Sequence, residues 1–291
     1  MRRVAFFRAV AGLSRPRIAL VSACSAFAGH VLAPGRSLLH GAGCVLAVLI
    51  LAAGASALNQ FQERSVDARM ERTRSRPLPA GLMTPAHALG AAIILNVAGL
   101  FLLFVSGGTT PFLLGILALL WYNGIYTLLK RVTAFAAVPG AVVGMIPPAI
   151  GWTAAGGSPA DPRLFAICFL FFMWQVPHFW LQVLHHGQEY ERAGLPSLSG
   201  VLRPEQIGRV TFIWICAAAA SGLLLPLFGA LQSPGLSLLL VPAALVMSVR
   251  ALGLVTSRSP ERALPVFKMI NAYILFVLFL LSIEGLSLFL P

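Results

Sequence analysis

The sequence has few charged residues, and acidic residues are the scarcest of them. Among 291 residues, 10% are charged and nine are acidic, and only Asp67 and Asp161 are aspartates. A soluble protein of this size carries about 25% charged residues, whereas this chain is 58% hydrophobic. The composition therefore excludes an ordinary soluble domain and indicates a membrane protein.

The sequence also lacks paired cysteines and a cleavage site for a signal peptide. Its four cysteines stand singly inside apolar blocks and form no CxxC pair, so neither a zinc site nor a disulfide framework is favoured. Residues 1–16 are basic, but no small-residue cleavage site follows a short apolar core. We interpret them as a cytoplasmic N-terminal tail with an interfacial helix; an organelle transit peptide is the less favoured alternative.

The chain does have a series of apolar blocks of about 20 residues, the length that crosses a bilayer as a helix. The strands of a transmembrane barrel are shorter and alternate in polarity, so a barrel is excluded. We predict an all-α, polytopic membrane protein whose single nine-helix domain covers residues 17–291. The nine spans are predicted at roughly 17–35, 40–60, 84–106, 109–129, 133–155, 163–185, 209–230, 234–256 and 264–290.

The segments that join these spans alternate in charge. Of the 21 lysines and arginines, all but Arg36 and Arg163 fall on one side of the predicted membrane. The positive-inside rule then places the N-terminus in the cytoplasm and the C-terminus outside, and we expect the plasma (inner) membrane of a prokaryote. The net charge of +12 is mainly a topology signal with affinity for anionic headgroups of the lipid bilayer, and it does not indicate a nucleic-acid partner.

A first polar stretch, NQFQERSVDARMERTRSRPLPAG at residues 59–81, interrupts the apolar blocks. Asn59, Glu63 and Asp67 are spaced i, i+4, i+8, which predicts one polar face on a helix continuing from the second span. Hard oxygen ligands on one face suit Mg²⁺, which binds few protein groups together with substrate phosphate oxygens. The arginines that follow suit phosphate. The competing interpretation is a solvated loop held by i,i+4 ion pairs.

A second polar stretch, WQVPHFWLQVLHHGQEYERAGLPSLSG, covers residues 174–200 at the end of the sixth span. Its polar side chains also recur at helical spacing, which again predicts one face; they are His178, Gln182, His185 and Glu189. The charge pattern places both stretches on the cytoplasmic side. We therefore expect the two faces to meet across one cavity, with cations linking them to a diphosphate.

Polar residues and glycines also occur singly or in pairs within other predicted spans. Tyr126 and Lys130 lie four residues apart at the cytoplasmic end of the fourth span, where the lysine could bind a phosphate or extend to the lipid headgroups. Gly140 in the fifth span, with Gly144 one turn later, forms a small-xxx-small face that favours close helix packing. The sequence assigns no role to Asn271 in the last span or to Glu284, which lies further along the same span.

These segments, together with GAVVGMIPPAIGW, resemble the UbiA-type intramembrane prenyltransferases over roughly residues 15–285. The strings DARMERTRSRPLPAG and WQVPHFW are most similar to the heme-modifying branch, the heme O synthases or protoheme IX farnesyltransferases. The resemblance implies nine transmembrane helices around a central cavity that opens toward the bilayer. It also implies Mg²⁺ as the cofactor, held through two acidic motifs.

The resemblance further implies roles for individual residues. Asn59, Glu63 and Asp67 match the first acidic motif and Glu189 the second, although Glu189 departs from the more common aspartate. These four are expected to hold the metal and, with Lys130, to act in catalysis. The expected substrate-binding residues are Arg72, Arg76, Tyr126, Arg131, His178, Gln182 and His185.

The reaction implied by the resemblance is farnesyl transfer from farnesyl diphosphate to a vinyl group of heme b, which makes heme O for terminal oxidase assembly. Heme A synthase and oxidase assembly factors are then candidate protein partners. The alternatives are a prenyltransferase for an aromatic quinone precursor, a membrane transporter and a heme chaperone. His178 argues against the first, the segregation of charge to one side argues against a transporter, and a chaperone would tolerate the loss of Asp67.

Overall fold

A computed structural model describes residues 9–35, 38–256 and 263–288 of the chain. Helices joined by short turns make up this part of the protein, as the predicted all-α fold requires. Within these ranges, eight helices are long and apolar enough to cross a membrane. In chain order they are α2 (Leu38–Asp67), α3 (Pro85–Gly107), α4 (Thr109–Leu129), α5 (Ala137–Ala154), α6 (Pro162–Arg192), α7 (Pro204–Leu227), α8 (Pro234–Thr256) and α9 (Ala263–Ser287).

A shorter apolar helix, α1 (Pro16–Leu32), precedes these eight and corresponds to the first predicted span. Its 17 residues reach about 25 Å at 1.5 Å per residue, which is close to the thickness of a hydrocarbon core. It packs between α2, α5 and α9. The nine predicted spans therefore correspond to the eight long helices and this shorter one.

The predicted interfacial helix is described only from residue 9 onward; residues 1–8 lie outside the described ranges. Residues 9–14 are helical, and Ala9 and Leu13 are buried in an apolar cluster with side chains of α2 and α3. Gln60 of α2 donates hydrogen bonds to the carbonyls of Gly12 (3.0 Å) and Leu13 (2.8 Å). The tail is thus attached to the helix that carries the first polar face.

Glycines let several helices approach closely, as the fifth-span pattern predicted. A Cβ on Gly151 of α5 would collide with the carbonyl of Ala26 in α1, and a Cβ on Gly140 would collide with the Tyr126 ring. Gly144 similarly lies against the Gln175 side chain of α6. These contacts position α5 against both the start of the bundle and the aromatic ring that borders the candidate site.

At the end of the bundle opposite the two polar stretches, two carboxylates accept hydrogen bonds near the starts of helices. Glu284 of α9 is 4% exposed and accepts hydrogen bonds from the backbone N–H groups of Gln232 (2.9 Å) and Ser233 (3.2 Å), just before α8 begins. Asp161 caps α6 and pairs with Arg163 at 2.7 Å. Glu284 therefore satisfies N–H groups at a helix start that would otherwise have no partner.

Candidate active site

The first polar face is buried and its charges are paired. Asn59, Glu63 and Asp67 are 1%, 6% and 3% exposed, along the last turns of α2. Lys130 Nζ lies 2.5 Å from Glu63 Oε1, and Arg76 NH1 lies 2.6 Å from both carboxylate oxygens of Asp67. A solvated loop would leave these carboxylates exposed. The three side chains with i, i+4, i+8 spacing are instead buried inside the protein.

A π-helical segment, Leu120–Tyr126, sets how α4 meets this face. Such segments add a residue to one turn and are frequent at functional sites. Just beyond it, Thr127 donates its hydroxyl to the carbonyl of Tyr122 (2.8 Å) and accepts the Asn59 side-chain N–H (3.0 Å). Lys130 follows one turn later, so this end of α4 supplies the partners of Asn59 and Glu63, while Asp67 pairs with Arg76.

The Arg-rich loop folds back over the end of α2. Thr73 donates a hydrogen bond to the carbonyl of Asp67 (2.8 Å), which turns the chain so that Arg76 reaches the carboxylate. Gly81, with φ of 70°, completes the reversal where the sequence predicted a turn. Burial lowers the pKa of Arg76 and the nearby positive charge of Arg15 lowers it further, while Asp67 raises it.

Arg15 lies near enough to the site for its charge to lower the pKa of Arg76, and the sequence interpretation counted it only as a topology charge. It precedes α1 with a left-handed backbone, φ 44° and ψ 66°, a conformation that a non-glycine residue rarely adopts. Its charge also contributes to lowering the pKa of Lys130, after burial, against the opposing effect of Glu63. The sequence signal was an arginine placed directly before the proline that begins a span.

Tyr126 lies beside Lys130, whereas Arg131 contacts the backbone of α2. The Lys130 ammonium is 5.3 Å from the centre of the Tyr126 ring, which stacks on Phe179 of α6 at 5.4 Å. Arg131 instead donates to the backbone carbonyl of Gln62 at 2.8 Å. Its predicted substrate contact stays a prediction, and its observed contact is with the surface of α2.

The two polar stretches meet, but through long contacts. The Arg72 backbone N–H lies 3.4 Å from Glu189 Oε2, and its guanidinium lies 3.4 Å from the Tyr190 hydroxyl. His186 is 3.8 Å from Glu189, whose side chain is one quarter exposed. Among the described residues, no group of three or more His, Cys, Asp or Glu side chains could hold a metal. The metal role of Glu189 therefore stays a prediction.

A cavity lies beside this junction, between the ends of α6 and α9. Its volume is about 80 Å³, and its lining combines basic and apolar side chains. His178 lies one turn before Gln182 on α6, and its Nδ1 is 2.8 Å from Asn271 Oδ1. The cavity is lined by Arg72, Leu181, Gln182, His185, His186, Leu264 and Phe267.

The first polar face fits a magnesium–diphosphate group better than a metal alone. The Asn59 side-chain N–H donates to Thr127. Among the described residues no donor to its Oδ1 is found, so this oxygen is available as a ligand. Lys130 and Arg76 now neutralise the two carboxylates. Both cations could shift to phosphate oxygens and release Glu63 and Asp67 for a cation, which matches the mixed ligand set that Mg²⁺ prefers.

Comparison with known proteins supports a specific family. The sequence profile of the UbiA prenyltransferase family matches residues 19–282. A protoheme IX farnesyltransferase of Geobacter sulfurreducens is 48% identical over 220 residues, which is 75% of this chain and 80% of that protein. One from Oleidesulfovibrio alaskensis is 36% identical over 281 residues, covering 96% and 97% of the two chains.

Solved structures share the fold at low sequence identity. A digeranylgeranylglyceryl phosphate synthase superposes with a TM-score of 0.76 at 15% identity, over 97% of this chain and 99% of that one. A UbiA homologue from Archaeoglobus fulgidus, bound to GPP and Mg²⁺, superposes with a TM-score of 0.63 at 15% identity, over 94% and 99%. At this identity the likeness concerns the arrangement of helices.

Proposed function

The chain belongs to the UbiA prenyltransferase family, and we propose that it is a multi-pass membrane enzyme that transfers a farnesyl group from farnesyl diphosphate to a vinyl group of protoheme IX, giving heme O. The choice of acceptor follows the relatives named protoheme IX farnesyltransferase, one of which matches over 96% of this chain. The observation that supports binding of a diphosphate donor is the presence of two buried ion pairs, Glu63–Lys130 and Asp67–Arg76.

The donor binds where these ion pairs lie. Lys130 and Arg76 exchange their carboxylate partners for diphosphate oxygens, and Arg15 adds a third positive charge close by. Asn59, Glu63 and Asp67 would hold Mg²⁺, which supplies neutralisation of the charge that builds on the departing diphosphate. Once the donor is bound and this exchange has taken place, the buried cations already contact the diphosphate, so they stabilise the charge that develops during bond breaking without further reorganisation.

The transfer breaks one carbon–oxygen bond of the donor and forms one carbon–carbon bond to the acceptor. The bond between the allylic carbon and the diphosphate oxygen breaks, and the diphosphate leaves with the electron pair. The terminal carbon of the vinyl group then donates its π electrons to the allylic carbon, and the adjacent vinyl carbon becomes cationic. Water adds there and loses a proton, which leaves a hydroxyethylfarnesyl side chain. The stacked rings of Tyr126 and Phe179 border the donor site and can support an allylic cation through their π faces.

We also propose that the enzyme lies in the plasma (inner) membrane of a prokaryote, with its N-terminus in the cytoplasm and its C-terminus outside. The charge asymmetry supports this orientation. A reporter active only outside the cytoplasm should be active when fused after Pro291 and silent when fused near Ser75. The reverse pattern would overturn the orientation.

The activity is tested with the full-length protein, purified in detergent and incubated with heme b, farnesyl diphosphate and Mg²⁺. Mass spectrometry should show heme carrying one added farnesyl group and one hydroxyl. Parallel reactions replace heme with an aromatic acid of the quinone-precursor class. Product from the aromatic acid alone would favour the quinone-pathway alternative, and heme retention without any product would favour a chaperone.

A further inference from the structure

Asn271 fixes which ring nitrogen of His178 carries the proton. The Asn271 amide nitrogen donates to the carbonyl of Phe267 at 2.7 Å, and a carbonyl can only accept. The other end of the amide is then Oδ1, which lies 2.8 Å from His178 Nδ1 and is also an acceptor. Nδ1 must therefore be the donor, and in the neutral ring the proton sits on Nδ1 and the lone pair on Nε2.

That lone pair is left without a partner. Among the described residues, Nε2 of His178 makes no hydrogen bond, and the side chain is partly exposed. Three aromatic rings hold the imidazole in place, with centroid distances of 4.8 Å to Trp174, 4.9 Å to Phe267 and 5.7 Å to Phe179. The Trp174 N–H is directed elsewhere, to the carbonyl of Ile270 at 2.9 Å. A fixed ring with an unpaired lone pair has the arrangement of a metal ligand.

The surroundings of the ring suit a flat, largely apolar molecule that carries carboxylates. Phe267 packs on the His178 ring and also lines the cavity between α6 and α9. The cavity lining also includes the apolar Leu264 and the basic side chains of Arg72 and His186. A porphyrin with two carboxylates could place its ring toward Phe267 and its carboxylates toward these basic side chains.

We propose that Nε2 of His178 ligates the iron of the acceptor porphyrin and that Asn271 is the positioning residue that keeps this nitrogen unprotonated. The inference rests on the proposed function for the identity of the acceptor. Histidine ligands commonly donate their second ring N–H to an acceptor that fixes the tautomer, and loss of that acceptor costs roughly 10–100-fold in metal affinity. Here the acceptor comes from α9, 93 residues away in the chain.

The test measures porphyrin binding and iron ligation without using turnover. The full-length protein in detergent is titrated with heme b and, separately, with metal-free protoporphyrin IX, and the iron–histidine stretch of the ferrous complex is recorded by resonance Raman spectroscopy. The wild-type protein should bind heme at least about tenfold more tightly than the metal-free porphyrin and should show the iron–histidine band. His178→Ala should abolish both the preference and the band, and added imidazole should restore the band.

Two substitutions at Asn271 separate positioning from packing. Asn271→Leu removes the acceptor at similar volume, so the ring can take the other tautomer, and heme affinity should fall about tenfold or more while metal-free porphyrin binding is unchanged. Asn271→Asp keeps an acceptor and adds charge, so the band should persist and move to higher frequency. Two control variants should match the wild type. In Ser282→Ala, on the same helix, the lost hydroxyl donates only to the carbonyl of Leu278 one turn earlier. His40→Ala changes an exposed position.

Each outcome bears on one of the two proposals. Farnesylated heme with no iron–histidine band, or with equal affinity for the two porphyrins, overturns the ligation and leaves the proposed function standing. A drop in both porphyrin affinities for Asn271→Leu makes Asn271 a packing residue and overturns its positioning role. Absence of farnesylated heme together with an aromatic product overturns the proposed function itself.

Discussion

The two polar stretches follow the same pattern in the sequence but form different structures. In the first, the carboxylates of Glu63 and Asp67 are 6% and 3% exposed and each meets a cation within 2.6 Å. In the second, Glu189 is one quarter exposed and its contacts with Arg72 and His186 are 3.4 and 3.8 Å long. One stretch is a closed, charge-matched cluster, and the other borders an open cavity.

Under the proposed function, this difference corresponds to separate sites for donor and acceptor. A buried carboxylate is stable only when it is paired, so we expect the first stretch to keep its cations until a diphosphate replaces the carboxylates as their partner. The second stretch contains the unpaired lone pair of His178 and the cavity lined by Gln182 and His185. A site for a bulky, mainly apolar acceptor needs open space more than fixed charge.

The largest expected effect comes from removing one charge of the closed cluster. Asp67→Asn should reduce the farnesyl-transfer rate on the order of 100-fold or more, because a preorganised charge-stabilising group is lost, while heme binding stays near wild type. The matched control is Asp161→Asn, which changes the only other aspartate, at the opposite end of the bundle. Steady-state rates that fall equally in both variants would mean that the closed cluster has no special role.

The second prediction separates stability from function within the same cluster. Lys130→Met leaves the buried Glu63 carboxylate unpaired and should lower the free energy of unfolding by about 2 kcal/mol, seen as a lower Tm in detergent. Adding Glu63→Gln to the Lys130→Met variant should reverse most of the fall in Tm, because the buried carboxylate without a partner is then gone. The double variant should stay inactive, since the phosphate-binding cation is still missing. Recovery of activity along with Tm would contradict the diphosphate role of Lys130.

Local periodicity in the sequence was enough to predict much of the fold and the first polar face. Block length predicted the spans, and the i, i+4, i+8 spacing placed Asn59, Glu63 and Asp67 on one buried face of α2. Helix geometry is local, so a single segment contains the information needed. The reversal at Gly81 followed from turn chemistry in the same way.

Contacts between distant segments could not be predicted, because no local pattern encodes them. The partner of His178 is Asn271 in the last helix, and the partners of Glu284 are N–H groups before α8. Arg15 was missed for a related reason: its electrostatic effect on Arg76 and Lys130 acts across distant segments. For Arg131 the predicted substrate contact stays a prediction, and its observed hydrogen bond, to the carbonyl of Gln62, is another contact between distant segments.

A third prediction tests the open stretch directly. Glu189→Gln should lower the transfer rate by less than about tenfold, because exposed charge contacts of this kind contribute roughly 0–1 kcal/mol. Glu63→Gln, in the closed cluster, is the comparison and should lose much more. Dependence on Mg²⁺ concentration is measured for both variants. A large rise in the Mg²⁺ requirement for Glu189→Gln would show that both acidic stretches hold metal when substrate is bound, and it would erase the contrast between them.

The smallest effect is expected inside the first stretch, where its loop is exposed. Arg74 forms an i,i+3 pair with Glu71 at 3.5 Å, and these side chains are 67% and 78% exposed. Arg74→Ala should therefore leave the transfer rate and the KM for farnesyl diphosphate within about twofold of wild type. Arg76→Ala, two residues later, should raise that KM strongly, because the Arg76 side chain is only 18% exposed and pairs with Asp67. A solvated loop that attracts diphosphate by general positive charge would respond equally to both substitutions, and its response would weaken equally with added salt. Unequal effects that persist at high salt would assign the function to the folded position of Arg76 and leave Arg74 as part of the solvated surface.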